Sequence, residues 1–354
     1  MKLCLITDTH WGARGDSLIF AEYFNRFYYE FFFPYLKENG IDCMFHLGDI
    51  VDRRKYINYV TARNLKKFVS TCHENGIKLH VNIGNHDTTF KNTNDYNSMN
   101  ELFSHSSYDI TYYSDPSDVT LQDGTKIAVL PWVCSGNYEQ SMQFIKNTNA
   151  QILFGHLELK GFEMYRGSVN DHGMDASVFD KFDMVMSGHF HHKSTRGNIN
   201  YLGAPYEMSW SDYDDYRGFH VFDTEKRELT FIQNPYIMFH KIRYNDEAKT
   251  LEELMDIDIE KYRGTYVKVI VVSKTNPYWF DLFIDKLENS GAVDIQVVED
   301  NLNLNLEDDT DIAGEIEDTP VILRKVVESM DTNVDKTRLG RLFNDLYNEA
   351  LNLE

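Results

Sequence analysis

The chain has 354 residues, 42% of them hydrophobic and 14% aromatic, enough apolar side chain for one large core or two smaller ones. Its formal net charge of -21 excludes a protein that grips nucleic acid through a lysine and arginine surface of its own, so a polyanionic substrate would need bound cations or a basic partner. No apolar stretch reaches the roughly 18 to 20 residues of a membrane span, "MKLCLITDTH" turns polar too soon for a signal peptide, and Cys4, Cys43, Cys72 and Cys134 form no CxxC pair, so the expectation is an intracellular protein with buried thiols and no membrane contact.

In chain order, a strand "KLCLI" runs into "TDTH", followed by a helical segment "LIFAEYFNRFYYEFFFPYLKENG" that closes on glycine. The aromatics of this segment admit a homodimer face, but apolarity nearly all round favours burial. A strand "CMFHL" then meets "GDIVDRR", a second helix "NYVTARNLKKFVSTCHENG" follows, and "KLHVNI" meets "GNHD". Two more strands end the same way, "QILF" at "GHLE" and "FDMVM" at "SGHFHH". Strands alternating with helices predict a layered α/β fold. In such folds ligands gather at the carboxyl ends of strands, where every one of these polar clusters falls.

Beyond residue 235 the chain changes character. "YVKVIVV", "PYWFDLFIDKLENSG" and "VDIQVVE" predict a strand, a helix and a strand, a small α+β domain over residues 236–298 suited to covering one side of a cleft. Residues 299–318 carry nine Asp or Glu and no Lys or Arg, the composition of a solvated linker. Residues 319–354 read as helical: Pro320 suits a first turn, and Leu339, Leu342, Phe343, Leu346, Tyr347, Ala350 and Leu351 form a stripe at three- and four-residue intervals. A stripe beyond a tether matches helix-in-groove docking on a partner, against the plainer alternative of packing on its own chain.

The strand-end clusters carry the chemistry. Asp8 and His10 stand two apart, so an extended backbone turns both side chains to one side. Asp49, Asn85, His156, His189 and His191 add a carboxylate, an amide oxygen and three imidazoles. These oxygen and nitrogen donors suit manganese, iron or zinc, and the lack of cysteine disfavours a closed structural zinc site. Seven ligands exceed one ion but suit two, with a carboxylate such as Asp49 as the bridge. A lone His or Asp after a strand is more often a turn or surface residue; five clusters in the order DxH, GDxxD, GNHD, GH and GHxH are not explained that way.

These five motifs, "DTH", "GDIVD", "GNHD", "GH" and "GHFH", resemble those of the calcineurin-like metallophosphoesterases over about residues 1–235. The resemblance implies a layered β-sandwich flanked by helices. It assigns Asp8, His10, Asp49 and His191 to one metal and Asp49, Asn85, His156 and His189 to the other, with His86 serving the leaving oxygen. Asp87 would orient His86. "LPWVC", "GHLELKGFEMY" and "YRGFHVFDTE" narrow the likeness to SbcD-type double-strand-break-repair nucleases, and most nearly to the recombination endonuclease subunits of T-even-type bacteriophages. That likeness implies a manganese-dependent DNA nuclease using two Mn2+, with Mg2+ as substitute, an SbcC-like coiled-coil ATPase as partner, a homodimer within a heterotetramer, and the cytoplasm of an infected bacterium. A phosphoprotein phosphatase or cyclic-nucleotide phosphodiesterase is the alternative, weakened because phosphoprotein phosphatases place Glu where this chain has Asp87. A non-catalytic scaffold would be marked by a lost ligand, and none is missing. Cellular relatives place a His where this chain has Asp52, so Asp52 and Arg53 are left as rim residues.

Overall fold

In the computed structural model, residues 1–299 are described. The acidic linker beyond Glu299 and the helical segment over 319–354 lie outside the described residues.

Two six-stranded sheets form the main body. The chain lays down β1 (Lys2–Ile6), β2 (Cys43–His46), β3 (Lys78–Asn82) and β4 (Ile110–Tyr113) side by side in parallel. It then builds the second sheet from β5 (Ser117–Thr120), β6 (Lys126–Leu130) and β7 (Ile152–His156). A small hairpin of β8 (Glu163–Tyr165) and β9 (Ser168–Val169) intervenes before β10 (Met184–Gly188), β11 (Ser194–Arg196) and β12 (Ile199–Tyr201) complete that sheet. The chain returns to the first sheet with an antiparallel pair, β13 (Gly218–Asp223) and β14 (Glu228–Gln233), so the orders are β14-β13-β1-β2-β3-β4 and β11-β12-β10-β7-β6-β5.

The sheets pack face to face. Period-two alternation sends Leu3, Leu5, Phe45 and Phe222 from the first sheet onto Ile127, Val129, Phe154 and Met186 of the second. The other face of the second sheet buries Ala128, Leu153 and Val185 beneath Ile145 of the helix Tyr138–Asn147. With both faces covered, the inner strands read as continuous apolar runs, as parallel strands do.

The aromatic segment after β1 is not one regular helix. It is α-helical over Leu18–Arg26, widens to a π-helix over Phe27–Phe32, and resumes as α-helix over Phe33–Glu38. Pro34 has no N–H to bond the carbonyl of Glu30, where the widened turns lie. Phe20, Phe24, Phe27, Tyr28 and Phe32 are all buried, and Tyr206 stacks on Phe24 at 3.8 Å. These rings are core, and do not form the homodimer face that the sequence admitted. All four cysteines are buried free thiols. No helix among the described residues is long and apolar enough to cross a membrane.

A three-stranded parallel sheet follows: β15 (Phe239–Asn245), β16 (Tyr266–Ser273) and β17 (Asp294–Glu299), with the helix Pro277–Glu288 crossing between the last two. Asn276 caps that helix by accepting from Trp279 N, and Phe280, Phe283 and Leu287 bury its inner face on Val267 and Val269. The strand, helix and strand read from the sequence are present; β15 was not foreseen. This sheet belongs to the same compact unit as the sandwich. Phe20 stacks on Tyr266 at the seam, and the buried Glu207 accepts hydrogen bonds from Met238 N at 2.6 Å and Phe239 N at 3.0 Å.

Burial pushes the Glu207 carboxyl up to about 7 from an ordinary 4.5. Between those values the folded chain holds the proton more tightly than the unfolded one, so the stabilising contribution is complete below about 4.5 and lost as pH rises through 7. Denaturant unfolding between pH 5 and pH 8 should therefore show a Glu207-dependent loss of up to about 3 kcal/mol, which Glu207→Gln abolishes. An unchanged pH slope in the variant would contradict this.

Candidate metal centre

Every polar cluster read from the sequence leaves the carboxyl end of a parallel strand, β1, β2 and β3 from one sheet, β7 and β10 from the other. The packed sheets bring these ends to a common edge. Among the described residues three groups of donor atoms result: Asp8, His10 and His191; Asp49, His156 and His189; and His10, Asp52 and His86.

Asp49 links the first two. Its Oδ2 lies 3.9 Å from His10 Nε2 and 3.3 Å from His156 Nε2, while its Oδ1 accepts from His86 N at 2.7 Å. Asn85 Oδ1 faces His156 Nε2 at 3.0 Å and His189 Nδ1 at 2.9 Å. His10 Nε2 faces His191 Nε2 at 3.1 Å. Asp8 accepts from the Thr7 hydroxyl and from His189 N.

The backbone is bent to reach these positions. Asp8, His10, Asp49 and His189 all have positive φ, at 50°, 41°, 54° and 92°, a region that costs a non-glycine residue about 1–3 kcal/mol. Cross-strand bonds hold the bends: Asp8 N to Gly48 O, His10 N to Asp49 O, and Trp11 N to Ile50 O. Two glycines are dictated by crowding. A Cβ on Gly48, itself at φ 105°, would meet His156 Nδ1 at 2.4 Å, and one on Gly84 would meet Asp49 N and Oδ1 at 2.3 Å.

The contacts of the ring nitrogens bear on whether a cation suits the centre. His156 Nδ1 faces the Leu47 carbonyl at 2.8 Å, and its Nε2 faces two more oxygen acceptors, so both nitrogens confront acceptors. Burial works against charge there, but Asp49 and Asp8 outweigh it and hold His156 up at about 9. His10 is likewise held at about 9 against burial by Asp52 and Asp49. Asp49 stays well below the carboxylate range despite burial, through His156 and His86. Burial and His156 press His189 down to about 3, and burial with His10 lowers His191. Acceptors thus converge on His10 and His156 and favour positive charge there, a demand that divalent cations would also meet. The donors, carboxylates, one amide oxygen and imidazoles, fit such ions.

Around this centre the structure corrects one expectation and fills gaps. Asp87 does not orient His86. Its carboxylate accepts four backbone N–H groups, from Gly84 at 2.8 Å, Asp49 at 2.8 Å, Ile50 at 2.9 Å and Val51 at 3.2 Å, and so has no capacity left for its neighbour. His86 is oriented instead by the Asp52 carbonyl, 2.6 Å from Nδ1. The Asp52 carboxylate lies 3.3 Å from His10 Nδ1, a charge contact rather than an aligned hydrogen bond. Arg53 points away, over the Tyr56 ring and towards Asp16. Arg54 was overlooked: it is half-buried, its Nη1 has no hydrogen-bond partner, and it feels the charges of Asp49 and Asp87. Arg217 was also missed. Buried against Asp212 and Asp215, it donates to the His191 carbonyl and fixes the segment that carries His189 and His191. Its sequence signal was a lone arginine in "YRGF".

Asp87→Ala would leave four backbone donors without an acceptor. Each orphaned buried group costs about 1–3 kcal/mol, so the variant should lose at least about 3 kcal/mol in denaturant unfolding. A loss below about 1 kcal/mol would show that these bonds do not hold the two turns.

Comparison with known proteins gives the family. The calcineurin-like phosphoesterase family matches residues 1–193. Exonuclease subunit 1 of Enterobacteria phage T4 is 30% identical over 356 residues, 99% of each chain. The SbcD subunit of the SbcCD nuclease of Staphylococcus epidermidis is 32% identical over 158 residues, 41% of this chain and 37% of that protein. A dimetal phosphatase of Danio rerio aligns with 62% of this chain and 91% of its own at 12% identity, with a TM-score of 0.39. With more than half its length matched by the family and its whole length by a relative, the chain belongs to the calcineurin-like phosphoesterases.

Proposed function

We propose that the chain is the nuclease subunit of a DNA recombination and repair complex, hydrolysing DNA phosphodiester bonds with two Mn2+ ions. The observation that carries this reading is the single Asp49 carboxylate standing between two sets of nitrogen and oxygen donors. Asp8, His10, Asp49 and His191 would hold one ion, and Asp49, Asn85, His156 and His189 the other. Mixed imidazole and oxygen donors are compatible with Mn2+, as with iron or zinc, and the family resemblance selects Mn2+, with Mg2+ as a substitute. The substrate class is supported by the relatives, which are named as exonuclease and nuclease subunits.

Two bound cations would neutralise the phosphoryl oxygens and make a water nucleophilic near neutral pH. The chain's own residues supply the rest. His86 donates Nδ1–H to the Asp52 carbonyl, which leaves Nε2 to carry a second proton. Burial lowers the His86 pKa, which makes the protonated ring a stronger acid but a smaller fraction of the protein at neutral pH. As water attacks phosphorus and the P–O bond to the leaving sugar breaks, Nε2 delivers its proton to the departing oxygen, and the proton of the attacking water passes to solvent. Asp52 acts as a positioning residue for His86 and His10 together.

The relatives are named as subunits, and the acidic charge of -21 calls for help in holding DNA. An SbcC-like coiled-coil ATPase, docked on residues 319–354 in a heterotetramer of paired subunits, would supply it. The domain limits at 235 and 298, and a capping role for the three-stranded sheet, are part of the same reading.

Incubation with end-labelled duplex DNA, single-stranded DNA and p-nitrophenyl phosphate should give Mn2+-dependent cleavage of DNA, removed by chelation and by Asp49→Ala. Normal cleavage by Asp49→Ala would end the two-ion reading, and hydrolysis of the monoester alone would replace the nuclease with a phosphatase. His86→Gln should keep Mn2+ binding in calorimetry while turnover falls by about 10² to 10⁴. Loss of the metal in that variant would make His86 a ligand, in the group with His10 and Asp52.

A further inference from the structure

Beside His156, a cavity of about 160 Å³ opens, lined among others by Trp132, Val133, Tyr138, Glu158 and Met174. We infer that this pocket receives a nucleobase, stacked by Trp132 and Tyr138, while the attached phosphate lies at the metal centre. The inference deepens the nuclease reading and rests on it for the position of the phosphate.

Size and lining point to a base. The volume falls below the roughly 300–1,000 Å³ that encloses a whole drug-sized ligand, and so suits one flat ring system with its sugar and phosphate outside. Among the described residues no lysine or arginine lines the pocket, and the Glu158 carboxylate would repel a phosphate. The same carboxylate can accept from the N–H groups on a base edge. Val133 and Met174 rest on the core of the second sheet and make an apolar floor. Met174 N donates to the Glu158 carbonyl at 2.9 Å, tying two walls together.

The aromatic pair is held in place for this task. Trp132 N donates to the Ile83 carbonyl, one residue before "GNHD", and its own carbonyl accepts from Asn94 Nδ2 at 2.9 Å and Asn137 Nδ2 at 3.0 Å. Its ring centre is 5.0 Å from that of His189 and 6.1 Å from that of His156. Trp132 therefore joins the metal centre to the pocket. The Asn137 side chain also accepts from Cys134 N, closing the turn that delivers Tyr138 as the first residue of its helix. Tyr138 lines the pocket and is 50% exposed overall, an aromatic surface that water covers poorly and a base covers well. Such platforms accept any unstacked base, because every base has a π-face. A strand would enter with the base splayed out, which selects single-stranded or frayed ends.

The test is calorimetric binding to the full-length, Mn2+-loaded protein of two ligands that share a phosphate and a sugar, 2′-deoxyadenosine 5′-monophosphate and 2-deoxyribose 5-phosphate. The expected result is a preference for the nucleotide of about tenfold or more, within the range of stacking on one aromatic platform. Tyr138→Ala should remove most of that preference, and Tyr138→Phe should retain it. Equal affinity of the wild type for both ligands would overturn the pocket even if the protein cuts DNA. An equal loss of both ligands in Tyr138→Ala would also overturn it, by assigning the residue to the metal centre's integrity. A nucleotide preference in a protein that fails to cut DNA would sustain the pocket and remove the nuclease reading instead.

Discussion

One carboxylate governs the geometry of this centre. Asp87 gathers the N–H groups of Gly84, Asp49, Ile50 and Val51, and so locks the turn after β3 to the turn after β2. Burial and the neighbouring Asp49 charge push its carboxyl up to about 6 against the pull of those donors. Because the Asp49 amide is one of the four, the left-handed backbone at Asp49 is fixed, and with it the aim of the oxygen that faces both His10 and His156. The third strand end then falls into place, since the His10 amide bonds the Asp49 carbonyl.

The strain stored in four positive-φ donors is of the order of several kcal/mol. A sandwich with two buried layers can carry that load, because the strands that end at the centre are anchored by rows of fully buried side chains such as Leu5, Phe45, Phe154 and Met186. The strain has a chemical use: it turns side chains inwards from turns whose relaxed form would face water. What remains is a dense set of acceptors and imidazoles whose carboxylates favour positive charge at His10 and His156. The overall charge of -21 and this local convergence of acceptors fit the proposed reading, in which affinity for a polyanion would come from bound ions and from partners.

Much of this was legible in the sequence because parallel strands announce themselves twice, as apolar runs and as polar clusters at their carboxyl ends. The seven proposed ligands were picked out in that way, and the chain folds them to one edge. What escaped was whatever depends on the backbone of distant residues. Asp87 looked like a partner for His86 because the two are adjacent, but its acceptors' partners lie up to 38 residues away. Asp52 looked like rim because its carbonyl, the atom that holds His86, has no signature in a side-chain alphabet. Arg217 was hidden for a similar reason, its target being the carbonyl of His191. The aromatic segment after β1 was recognised as helical and as better suited to burial, while its π-helical turns follow from Pro34 and from core packing that no local pattern encodes. The strand β15 is short of apolar alternation, with Lys241 and Arg243 among its residues, and its pairing with β16 reveals it only in three dimensions.

Anomalous diffraction from Mn2+-soaked crystals tests the account most directly. It predicts two manganese peaks per chain, one among Asp8, His10, Asp49 and His191 and the other among Asp49, Asn85, His156 and His189. A single peak, or a peak held by His10, Asp52 and His86, would contradict it.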